Sequence, residues 1–119
     1  MSRPAPRIPS ASTVVATPTE LKNSEVFDCA ELAIAELSKT SSSWPKVSLR
    51  DDAGGMLESG DYAADDKTGF RMRLERVDAG AALQIDLKGA GAYYADLGVQ
   101  KAIKQLTAEI ESCIRNAAQ

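Results

Sequence analysis

Between Phe70 and Lys88 apolar and polar residues alternate twice around a turn, and this double alternation constrains the fold more than any other stretch of the chain. Phe70, Met72 and Leu74 alternate with Arg71, Arg73 and Glu75; after Asp78-Ala79-Gly80, Leu83, Ile85 and Leu87 alternate with Gln84, Asp86 and Lys88. A period of two on either side of a turn predicts an antiparallel hairpin. Its register follows from its faces, because a slip of one residue would send a whole apolar row to water. A two-residue turn at Ala79-Gly80 or a four-residue loop from Asp78 to Ala81 pairs Met72 with Leu87, Leu74 with Ile85 and Arg73 with Asp86. A three-residue loop would mix the faces. One face is therefore apolar and the other charged, as in an antiparallel sheet covered on one side.

Upstream the same period continues more weakly. Val47 and Leu49 alternate with Ser48 and Arg50, Asp51-Asp52-Ala53-Gly54-Gly55 reads as a turn, Met56 to Tyr62 as a second strand, and Ala63 to Gly69 as a polar loop. On both sides of this block the period becomes helical. Val26, Ala30, Ala33 and Leu37, with Phe27 and Ile34, form a stripe on a first helix ending near Lys39. Two starts are open for it: a capping box at Thr17-Pro18-Thr19-Glu20, or Ser24 as the cap of a shorter helix. Pro45, after Trp44, forbids its continuation. Val99, Ala102, Ile103, Leu106, Ile110, Cys113 and Ile114 make the face of a last helix that Asp96 is placed to cap.

The predicted fold is α+β: helix, an antiparallel meander of three to four strands, then helix, with both helices on one sheet face in a single domain over residues 17–119. Residues 1–16, with Pro4, Pro6 and Pro9, read as a disordered arm or tether, since they bury too little apolar surface to offset the ordering of their backbone. Val14-Val15 is the one pair there able to add an edge strand.

Strand number decides what the two cysteines do. Cys29 lies beside the first helical stripe and Cys113 on the second. An even number of antiparallel strands leaves the helices antiparallel and lets Cys29 approach Cys113, whereas three strands separate them. The turn at Asp51 to Gly55 favours four strands and a disulfide, which would stabilise the fold by about 4–5 kcal/mol on a chain-entropy basis.

The chain has 119 residues, 26% of them charged, and a net charge of -3, a balance that argues against phosphate-backbone binding and hence against nucleic acid. No apolar run approaches the roughly eighteen residues of a membrane span. The sequence is compatible with the mature part of an exported protein or lipoprotein whose precursor carried a lipid anchor. Histidine is absent and the cysteines lie far apart in sequence, so no zinc-ligand pattern exists and no base is available to activate a thiol. Asp51, Asp52, Asp61, Asp65 and Asp66 fall in turns, where carboxylates are not held at the fixed, partly buried separation that acid/base catalysis uses. The residues imply no catalytic, cofactor-binding or metal site.

Candidate interaction residues remain. Arg50, Arg71, Arg73 and Lys88 share the predicted outward sheet face and would suit an acidic partner, although Glu75 and Asp86 among them fit an ordinary solvated face with cross-strand pairs. Tyr93 and Tyr94, just before the last helix, would line a ligand pocket or partner interface, or else cap the open end of the core. Trp44 is read as a core plug or, alternatively, a binding anchor. Lys88-Gly89-Ala90-Gly91 lacks the remaining elements of a phosphate-cradling loop and reads as a chain reversal.

The stretches from Val47 to Tyr62 and from Ile85 to Gly91 look like the strand-turn-strand and strand-into-helix passages of small bacterial lipoprotein domains, including the helix-grip modules of outer-membrane assembly lipoproteins. The resemblance implies a periplasmic or outer-membrane-anchored, non-enzymatic domain that binds another protein of the cell envelope, with the Pro/Ser-rich arm as tether. It carries over no functional residue, and the chain shows neither a lipidated N-terminal cysteine nor a signal segment. Two alternatives stand beside it: a small-ligand carrier or enzyme using a cavity between helices and sheet, and a cytosolic domain of unknown role.

Overall fold

Five antiparallel strands and two helices make up the computed structural model, which describes residues 8–64 and 67–118. In chain order they are β1 (Ser10–Ala16), α1 (Asn23–Ser38), β2 (Val47–Asp51), β3 (Met56–Ser59), β4 (Gly69–Val77), β5 (Ala82–Ala90) and α2 (Val99–Ala117). The sheet order is β1-β5-β4-β3-β2, so the meander from β2 to β5 has the four strands that favour antiparallel helices. The β4–β5 hairpin closes through the four-residue loop, with Met72 opposite Leu87, Leu74 opposite Ile85 and Arg73 opposite Asp86. Asp78, Ala79 and Gly80 all take positive φ there, a conformation that only the glycine adopts without strain.

The fifth strand corrects the reading of residues 10–16 as part of a disordered arm. β1 pairs with β5 from Ser10 opposite Lys88 to Ala16 opposite Ala82, burying Ala11 and Val15 while Ser12 Oγ donates to Asp86 at 2.6 Å. Its apolar residues are too small and too few to signal a strand. Pairing with the free edge of β5 supplies the stabilisation that its own side chains lack. The remainder of the proposed arm, residues 1–7, lies outside the described residues.

α1 begins between the two sequence-predicted starts, at Asn23 with Lys22 as its cap. Thr17 is spent elsewhere: its amide donates to the Ala81 carbonyl at 2.9 Å and its hydroxyl to the Gly80 carbonyl at 2.7 Å, which pins the segment after β1 to the hairpin turn. The Glu25 carboxylate instead accepts from the Lys22 amide at the helix entry. Asp96 meets its expected role from a distance, since its carboxylate accepts from the amides of Gly98 and Val99 at the start of α2.

Both helices cover the apolar face of the sheet. Val26, Phe27 and Ala30 of α1, Leu106 and Ile110 of α2, and Leu57, Met72, Leu74, Leu83, Ile85 and Leu87 of the strands are wholly buried between the layers. Cys29 and Cys113 join α1 to α2 through a disulfide with 5.5 Å between their Cα atoms. This bond follows from the even meander.

Candidate functional site

The charged sheet face is organised around a residue that the sequence did not single out, Tyr62. The loop after β3 turns back at Gly60 and Asp61, both at positive φ, and lays Tyr62 over the outward side chains of β4 and β5. Lys88 Nζ lies 4.3 Å from the centre of its ring and the Arg73 guanidinium 5.7 Å, within cation–π range. Burial raises the phenol's pKa, and the nearby Asp86 carboxylate raises it further.

Beneath this ring the sequence-predicted cations behave differently. Arg73 is paired, its Nε donating to Glu58 at 2.8 Å, so its partner comes from β3 rather than from Asp86 opposite it on β5. Arg71 is 1% exposed, which a solvated face would not require. It stands directly opposite Lys88, and Nη1 of the one and Nζ of the other both approach the Tyr62 carbonyl, at 3.5 and 3.2 Å.

Arg50 does not belong to this face. The register of β2 shifts between Val47 and Leu49, which leaves Leu49 outward and sends Arg50 to the helix side. There it binds Asp52 at 2.7 Å, Asp28 at 2.9 Å, Glu31, and the Ser24 carbonyl at 3.0 Å. These carboxylates, Asp52 first, raise its pKa above the ordinary arginine value. The outward basic group is thus Arg71, Arg73 and Lys88.

At the same end of the sheet the aromatic residues separate. Trp44 is buried, with its ring centre 4.6 Å from that of Phe70. Phe70 in turn packs so closely on Gly89 that a Cβ there would sit 2.6 Å from the ring. Gly89 is therefore a packing glycine within β5, not part of a chain reversal. Tyr93 is 100% and Tyr94 48% exposed, each at positive φ, on a turn closed by the Gly91 amide donating to the Ala95 carbonyl at 2.8 Å. Neither ring caps the core. Beside this turn lies a cleft of about 490 Å³, walled by Ser43, Pro45, Gly69, Phe70, Ala92 and Leu97 among others.

The cleft, the exposed tyrosines and the Tyr62-covered cations therefore share one end of the sheet, where β3 ends, β4 begins and β5 ends. Tyr62 was missed because an aromatic in a polar stretch carries no periodic signal; the two glycines that bound its loop, Gly60 and Gly69, were the available cue. Among the described residues no group of three or more His, Cys, Asp or Glu side chains is placed to hold a metal ion. Asp65 and Asp66 lie outside the described residues. No helix is long and apolar enough to cross a membrane, again among the described residues.

No family model matches the sequence, and no curated protein is similar to it at a significant level. Its fold is similar to a solved structure, that of Ara h 8.0201, with 14% identity, coverage of 93% of this chain and 97% of that one, and a TM-score of 0.51. The shared architecture is a helix-grip one, an antiparallel sheet with its helices packed on one face. At this identity the likeness concerns fold alone. It matches the helix-grip part of the sequence resemblance and not the bacterial lipoprotein part.

Proposed function

We propose that this chain is a non-catalytic binding domain of the bacterial cell envelope that engages a protein partner through its Tyr93–Tyr94 end. The observation that carries this reading is Tyr93. A fully exposed aromatic ring on a turn with two successive left-handed tyrosines contributes nothing to the core, yet it is the type of side chain that anchors interfaces. The adjoining 490 Å³ cleft gives such an interface a concave neighbour. An oxidising compartment fits the disulfide, since such bonds persist outside the cytosol, and the alternative cytosolic role fits it poorly.

The small-ligand alternative draws support from the helix-grip fold. Its site would be the outer cleft, because the layer between helices and sheet is occupied by wholly buried side chains. To test the first reading, wild-type chain and a Tyr93→Ala, Tyr94→Ala variant are each used to capture proteins from envelope extract. The expected result is a protein retained by the wild type and lost by the variant. Equal recovery by both, or nothing above background, would overturn it.

A further inference from the structure

Arg71 presents an unusual combination. Its side chain is buried, and neither Nε nor Nη2 has a hydrogen-bond partner among the described residues. These two atoms form one edge of the guanidinium, the fork whose parallel N–H groups match two oxygens of a carboxylate or phosphate. A buried charge without a counter-charge is costly, so such a fork is expected to be matched. The nearest ladder position does the reverse. Lys88 stands across from Arg71, where like charges repel, and both cations converge on the single neutral carbonyl of Tyr62.

Two carboxylates of the same face are engaged elsewhere. Glu58 is bonded to Arg73, and Asp86 accepts from Ser12 at 2.6 Å and from Gln84 at 3.4 Å. We propose that Arg71 and Lys88 form a binding site for a small oxyanion, a carboxylate or a phosphate, covered by Tyr62. The ligand takes the Nε/Nη2 edge of Arg71 and draws Lys88 Nζ from the Tyr62 carbonyl. Two long bonds to a neutral oxygen are thereby exchanged for charge-assisted ones.

The test uses the full chain, with sodium phosphate and sodium acetate titrated against sodium chloride at matched ionic strength. Thermal unfolding and the NMR signal of the Arg71 Nε–H are the readouts. Phosphate or acetate is expected to raise the Tm and shift that signal where chloride does not; the stronger of the two identifies the oxyanion class. Arg71→Lys keeps the charge but removes the fork, and should weaken the apparent affinity about tenfold or more. Should that variant fail to fold, Lys88→Gln carries the same test with a smaller loss. A response no greater than that to chloride, or variants that respond like the wild type, would overturn the site. Tyr93→Ala leaves this response unchanged, so its outcome is separable from that of the protein-binding reading.

Discussion

Arg50 and Arg71 belong to strands of the same sheet, and both are largely withdrawn from water, yet their surroundings are opposite. Arg50 meets three carboxylates and a carbonyl, and in doing so ties β2 to α1 and to the turn after β2. Arg76, on β4, is treated in a related way. Its guanidinium reaches the carbonyls of Leu21, Pro18 and Gly80 and the side chain of Asn23, while burial lowers its pKa. Among the described residues Arg71 has only a long contact to one carbonyl and a lysine for its cross-strand neighbour. The first two arginines fasten loops and a helix to the sheet. Arg71 fastens nothing comparable, and a buried cation that performs no such service is more readily explained by what it binds than by what it holds.

The largest effect expected in this molecule sets the scale for that contrast. Replacing Cys29 and Cys113 with Ala, or reducing the bond, removes a link closing 84 residues and should cost about 4–5 kcal/mol on the chain-entropy estimate, read by chemical denaturation. α1 is then held by its apolar stripe and by Arg50. Next comes the direct comparison. Arg50→Met leaves Asp28, Glu31 and Asp52 near one another without their cation, and should cost about 1–2 kcal/mol, limited because those carboxylates are substantially solvated. Arg71→Met places an apolar chain of similar length in a buried site and removes an unmatched charge, so stability in chloride buffer should hold or rise by up to about 1 kcal/mol. If Arg71→Met proved as costly as Arg50→Met, the two arginines would be alike and the contrast would fail.

How much of this was legible in the sequence depends on periodicity. The hairpin register was readable because six apolar side chains alternate without interruption and the two-residue and four-residue loops both keep them on a single face, whereas a three-residue loop does not. The disulfide followed from counting strands in the meander, and that count is unaffected by β1, which lies before the first helix. Where one local feature overrode the period, reading failed. The irregularity between Val47 and Leu49 moved Arg50 from one face to the other, and nothing in Val-Ser-Leu-Arg announces it. β1 was hidden because its stability comes from the partner strand. Tyr62 was hidden because its position depends on two left-handed residues, Gly60 and Asp61, of which only the glycine is a sequence cue. The outward cations were named together, but which of them is buried and which is paired is a tertiary property.

Tyr62 offers the smallest and most selective test of the contrast, through pH. Its phenol has a raised pKa in the folded chain, mainly from burial and then from Asp86, whereas in the unfolded chain it titrates near the ordinary value of about 10. Below that value the phenol is neutral in both states and stability does not depend on it. Above it the unfolded chain loses the proton first, so the folded state holds more protons and stability falls as pH rises through the folded pKa. The informative quantity is the difference between wild type and Tyr62→Phe, which isolates this phenol from every other group. That difference should be flat up to about pH 9.5 and then move against the wild type. Because Tyr62 covers Arg71 and Lys88 and has no contact with the Arg50 cluster, the same difference measured in an Arg50→Met background should be unchanged, whereas in an Arg71→Met background it should shift. Equal behaviour in the two backgrounds would show that the phenol does not sense the cation beneath it.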